Sequence, residues 1–222
     1  LLIPFVSVTA QRKLDHHKLT ISDFIEPSLI PFSLFVCVVC LAWGNIQAFM
    51  AAYARAFDVV AAASSFFLVY AVAILLSRPF SGKIYDAHGA PVILYPALVL
   101  LAASLALLWN VHEGWAVLTA GALAGLGFGN FQSVAQVSAI SMVTRERYAQ
   151  ATSTFYIFFD LGIGLAPYLA GYIAPTVGYD GVYGLNAVVV SLCIVWYAML
   201  HLTGRLSKRP SLGQAVNIEA VK

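Results

Sequence analysis

The sequence predicts an all-α fold, a polytopic membrane protein built as a bundle of six transmembrane helices. Three observations predict it. Of 222 residues, 61% are hydrophobic and 10% charged, and the mean hydropathy is +0.85; soluble domains carry about 25% charged residues. The apolar residues gather into six runs, each near the roughly 20 residues a helix needs to cross the hydrocarbon core. Short polar turns separate the runs, so successive segments alternate sides. On that alternation eleven of the twelve Lys and Arg residues fall on one side and Arg55 alone on the other. Such an excess marks the cytoplasmic side.

Leu1 is not an initiating methionine, and Leu1–Ala10 predicts the end of a helix already under way. The sequence is therefore expected to be a fragment, with 1–10 the end of a preceding helix, 11–30 a cytoplasmic linker, 31–203 the six-helix region and 204–222 a cytoplasmic tail. The linker holds Arg12, Lys13, Lys18 and the pair His16-His17, with no carboxylate or Cys at helical spacing to complete a metal site. The first span, about Pro31–Tyr53, starts behind Pro27 and Pro31, where proline is tolerated. It carries Asn45 and Gln47, two apart and so on different faces, one predicted to face a cavity and the other to pack. Cys37 and Cys40 have redox spacing, but no second pair or nearby His joins them; with Cys193 they are expected to be small buried thiols.

The second span, about Val60–Ser77, ends at a polar stretch, Arg78-Pro-Phe-Ser-Gly-Lys-Ile-Tyr-Asp-Ala-His-Gly-Ala-Pro91. Gly82 and Gly89 predict turns, Pro79 and Pro91 predict breaks, and a connection this short makes its flanking helices antiparallel neighbours. The spacing Gly82-x-x-x-Asp86-x-x-Gly89, with Arg78 ahead of it, resembles the loop signature of the major facilitator superfamily of secondary transporters. The resemblance implies a cytoplasmic loop between the second and third helices of a six-helix half. Ala87 and Ala90 stand where the family usually has basic residues. The second half of such transporters commonly carries a degraded copy, so the departures point to the C-terminal half.

The third span, about Pro91–Trp109, leads to a turn flanked by Trp109 and Trp115, as an interfacial aromatic belt would be. The fourth, about Trp115–Val143, places Gly121, Gly125 and Gly129 at intervals of four, a ridge that admits a close neighbouring helix. On a regular helix Gln132 and Gln136 share the face of Gly125 and Gly129, and Asn130 lies elsewhere. Two readings stand for Asn130, Gln132 and Gln136: they line a cavity, or they hydrogen-bond between helices.

The fifth span, about Gln150–Pro175, contains Gly162-x-x-x-Ala166-Pro167-x-x-Ala170-Gly171. Gly162, Ala166 and Ala170 form a second ridge of small residues, and Gly162, Ala166, Pro167 and Gly171 are expected to pack helices. The pattern is similar to the Gly-rich antiporter signature of the superfamily's fifth helix, with Ala at two Gly positions; in a C-terminal half it would be the pseudo-symmetric eleventh. Asp160 is the one acidic residue inside any span. Intramembrane ionisable groups are costly and face a cavity or a partner, so Asp160, with Tyr156 and Gly164 four residues away on either side, is the leading candidate for substrate or proton coupling. The sixth span, about Gly181–Leu202, carries Asn186, expected to be a structural hydrogen bonder.

No phosphate-cradling Gly-rich loop, His-Glu-x-x-His or Gly-x-Ser-x-Gly is present, so neither an enzyme nor a metal or other cofactor is expected. The basic residues sit in short turns, which argues against nucleic acid. The resemblance implies a half-transporter in the cell membrane, partnered by lipid, a small-molecule substrate and an N-terminal half of the same transporter, working by alternating access on an ion gradient, protons first. Efflux of amphipathic molecules is the expected direction. Uptake of a sugar or organic acid, or a permease subunit driven by a separate ATPase, are the alternatives.

Overall fold

The computed structural model describes residues 24–203. The expected helix end at 1–10, most of the linker and the tail at 204–222 lie outside the described residues. Among the described residues every regular element is helical: α1 (Ile30–Ala56), α2 (Val60–His88), α3 (Pro91–Asn110), α4 (Gly114–Ala124), α5 (Asn130–Ser141) and α6 (Tyr148–Leu202). A π turn, Gly125–Gly129, joins α4 to α5 into one span. Gly178, at φ 78°, breaks α6 into two. The result is six crossings in the expected order.

The contacts set the directions. Along α1, Cys37, Cys40 and Gly44 meet Gly162 and Ala166 in rising order, so the first segment of α6 runs parallel to α1. Phe49 meets Tyr179, Asn45 meets Asn186 and Phe35 meets Tyr197, so the segment after Gly178 runs back. Arg78, Lys83, Arg145 and Arg147 thus share one end of the bundle, here the basic end, and Arg55 lies at the far end. In its most apolar 18-residue window α1 is 72% buried, against 17% for α2. The helix at the centre is therefore α1, and α2 presents most of its surface outward.

Two elements differ from the sequence reading. Pro79 does not end the second span, and Gly82 is no turn residue: α2 continues to His88 with both inside it. Proline is tolerated in membrane helices when side chains serve the backbone around it. Beside Pro79 the Ser77 and Ser81 hydroxyls make i−3 bonds to the carbonyls of Ile74 and Arg78, at 3.0 and 3.2 Å, while the carbonyl that loses its donor to the proline is that of Leu75. The turn shrinks to Gly89 and Ala90, with Gly89 at φ 81°, a conformation that favours glycine.

The second difference is the π turn. A Cβ added at Gly121 would stand 2.9 Å from the Phe66 carbonyl oxygen, and one at Gly125 would stand 2.8 Å from the Ala73 Cβ; Gly129 lies against Ile74. Gly127 faces the other way, against Ala97 and Leu101 of α3. Glycine at these positions lets α2 and α3 approach from both sides. Trp43 of α1 closes the layer, stacked on Tyr70 at 4.5 Å and on Phe128 at 4.7 Å. The extra residue in the wider turn rotates α5 relative to α4. Asn130, not the glutamines, continues the α2-facing side.

Polar groups tie the helices. Tyr53 donates to the Leu108 carbonyl at 2.9 Å, joining α1 to α3. Ser104 donates to the Ala120 carbonyl at 2.7 Å, joining α3 to α4. The three cysteines are buried free thiols.

Candidate substrate face

The first segment of α6, residues 148–177, has two unlike sides. Gly162, Ala166 and Ala170 are buried. A Cβ at Gly162 would stand 2.8 Å from that of Cys40, and one at Gly44 would stand 2.7 Å from that of Ala166. This seam of small groups explains why α1 holds cysteines at 37 and 40. The opposite side carries Tyr156, Asp160, Gly164, Pro167, Tyr168, Gly171 and Tyr172, all exposed. Pro167 and Gly171, read from the sequence as helix-packing residues, therefore do not pack among the described residues: both are exposed beside the seam, and a Cβ at Gly171 would meet nothing within 4 Å. Asp160 lies twelve residues beyond Tyr148, about 18 Å along the axis. Its carboxylate has no ion-pair or hydrogen-bond partner among the described residues.

The other polar candidates divide. Asn45 is buried, its amide donating to Asn186 Oδ1 at 3.2 Å, so α1 is pinned to the last span as Asn186 was expected to do. Gln47 is exposed on the opposite flank of α1. Asn130 is buried and donates to Ser77 Oγ at 3.1 Å and to the Leu126 carbonyl at 2.8 Å; it stitches α5 to α2. Gln132 and Gln136 are half-buried one turn apart on α5, on the side turned away from its core. The structure thus separates Asn45 and Asn130, which hold helices together, from Gln47, Gln132, Gln136, Tyr156 and Asp160, whose side chains make no hydrogen bond among the described residues.

At the basic end, Arg78, Gly82 and Asp86 project from the last turns of α2, with Gly89 closing the helix behind them. With Tyr85, Ser133 and Val137 the three line a cavity of about 320 Å³ between α2 and α5. A Cβ at Gly82 would meet nothing within 4 Å.

Sequence reasoning missed Glu26, which it left in the solvated linker. Glu26 is only 5% exposed. It accepts from Ser28 Oγ at 2.7 Å and pairs with Arg147 at 2.8 Å, while its backbone N–H donates to Thr154 Oγ1 at 2.8 Å. The Ser28 hydrogen bond holds the carboxyl below the usual carboxylate range, Arg147 adds to that, and desolvation opposes it. The clasp borders a cavity of about 810 Å³ lined also by Phe32, Thr144 and Leu200. The available signal was Glu-Pro-Ser ahead of a proline-led helix, a capping pattern. Among the described residues no group of three His, Cys, Asp or Glu side chains is arranged to hold a metal; His16 and His17 lie outside them.

Six apolar crossings, five of them around the central α1, with one helix side left polar and open, define a polytopic membrane bundle of the transporter type. The sequence profile described as the Major Facilitator Superfamily matches residues 32–220. The chain belongs to the Major Facilitator Superfamily. It is 25% identical over 173 residues to an uncharacterized MFS-type transporter of Burkholderia mallei (strain SAVP1), covering 78% of this chain and 42% of that protein. A second uncharacterized MFS-type transporter, of Pseudomonas aeruginosa (strain UCBPP-PA14), is 32% identical over 107 residues, 48% of this chain and 26% of that one. In fold the chain is similar to the peptide transporter POT, solved in complex with alafosfalin, with a TM-score of 0.69 at 20% identity; the match covers 87% of this chain and 44% of that structure. The chain thus spans less than half the length of these relatives.

Proposed function

We propose that the chain forms the C-terminal half of a secondary transporter, a carrier and not an enzyme, which exports small amphipathic molecules in exchange for protons by alternating access. The observation that carries the reading is Asp160: an exposed, unpartnered carboxylate near the middle of an otherwise apolar segment. Facing lipid, a carboxylate at a helix centre costs about 2.5–3.5 kcal/mol. Facing a second six-helix half across a wetted midplane, it is a site for a proton or a cation. Tyr156, Tyr168 and Tyr172 on the same side suit amphipathic cargo, and Gln47, Gln132 and Gln136 are the further contacts. Family membership weighs against a permease subunit driven by an ATPase. The charge count supports a cytoplasmic basic end, with linker and tail on that side and Arg78, Gly82 and Asp86 bracing the cytoplasmic closure.

Asp160→Asn keeps shape and hydrogen bonding and removes the titration. Proton-driven flux in proteoliposomes is expected to fall at least tenfold, or to lose its pH dependence, with expression unchanged. Flux with an unaltered pH profile and affinity would make Asp160 structural and sink the reading. Concentrative uptake with the same Asp160 dependence would reverse the direction and keep the site.

A further inference from the structure

The exposed line of α1 in its far half is Gln47, Ala48, Ala51 and Arg55. A lipid-facing helix shows bulky apolar groups there, as α2 does with Leu68, Leu75 and Leu76, which are 66–71% exposed. On α1 the same kind of position is small or polar. Against this line α2 sets Val60, Ser64 and Phe67, and between the two helices lies a cavity of about 410 Å³, lined also by Met50, Ala54 and Ala63. That volume is in the range of small-molecule sites, which combine apolar walls with a few placed polar groups. The donors are two. Among the described residues Arg55 is the one Lys or Arg at the far end, and it has no ion pair there. Gln47 stands two turns away on the same line. Ser64 adds no donor, because its hydroxyl already donates to the Ala61 carbonyl at 2.7 Å.

We propose that this cavity is a far-end subsite that takes the carboxylate end of an amphipathic organic anion, on Arg55 with help from Gln47, while Met50, Val60 and Phe67 hold its apolar part. The inference rests on the transporter reading and narrows its substrate class. A guanidinium offers a planar fork that matches a carboxylate.

The test is protection from labelling. In the purified transporter reconstituted in phosphatidylcholine vesicles, the Ala51→Cys variant is exposed to a membrane-impermeant maleimide, with 4-phenylbutyrate, 4-phenylbutylamine or 4-phenylbutanol as probe. At about ten times its Kd, phenylbutyrate is expected to slow labelling about tenfold, with the amine and the alcohol without effect. Arg55→Gln abolishes the protection and Arg55→Lys retains part of it. Equal protection by all three probes, or protection that survives Arg55→Gln, overturns the proposal. So does slowing produced by phosphatidylglycerol in the vesicles and by none of the probes, which would assign Arg55 to a lipid headgroup. Flux measured on the same vesicles separates the two readings: flux without charge-selective protection removes the subsite alone, and absence of flux removes the transporter reading.

Discussion

Glu26 shows how one residue can knit a bundle end. Its carboxylate and backbone reach Arg147 in the fourth–fifth connection and Thr154 in the fifth span, so the start of α1 and the start of α6 are held together. Arg147 is 60% exposed, and solvent screens the pair. Glu26→Gln is expected to cost about 1 kcal/mol, read as a drop of about 2–4 °C in the detergent melting temperature. The direction of the shift sets the sign with pH. The folded carboxyl lies below its ordinary value of 4.5, so its stabilisation is complete above that value and is lost as pH falls through the folded one. Wild type and variant should therefore differ at pH 7 and converge under strong acid; a gap that stays constant down to pH 3 would count against the clasp.

At the scale of the helix, the glycines separate into two kinds. Gly162 lies where any Cβ meets Cys40 and the Cys37 carbonyl, whereas Gly164 and Gly82 have open space. Gly162→Ala should destabilise by about 1–3 kcal/mol through overpacking, while Gly164→Ala and Gly82→Ala leave the melting temperature within a degree or two of wild type. Equal effects from all three would mean that the α1–α6 seam is not where the structure puts it. These seams were legible in the sequence because small residues at intervals of four have few other uses in an apolar helix. The six crossings were legible too, through length and hydropathy. What escaped was set by neighbours. Pro79 reads as a breaker, yet α2 runs through it to His88. The π turn lies where α2 and α3 pack against Gly125, Gly127 and Gly129 from two sides, and a regular 3.6-residue period cannot anticipate the rotation that gave Asn130 to α2. Asp160 and Gln47 could be listed from sequence as candidates, but Asn45 and Asn130 could not be set apart from them without knowing which amides already had partners.

For the molecule as a whole, Arg78, Lys83, Arg145 and Arg147 stand at one end and Arg55 at the other among the described residues, and that division predicts orientation. Ser81→Cys, at the basic end of α2, should be shielded from an impermeant thiol reagent applied to intact cells, and Glu113→Cys, in the turn at the far end, should label. Labelling of the first from outside would invert the assignment.

Gly178 has a consequence for how the chain reaches the bilayer at all. It is the one residue outside helical geometry within the 55 residues of α6, so the last two crossings have no slack between them. A span joined to the next by a long loop can be threaded and released alone. Two crossings joined this tightly are expected to enter as a folded hairpin, Asp160 then crossing into hydrocarbon in the company of 179–202, with the penalty for its carboxylate set against the apolar surface of two helices arriving together.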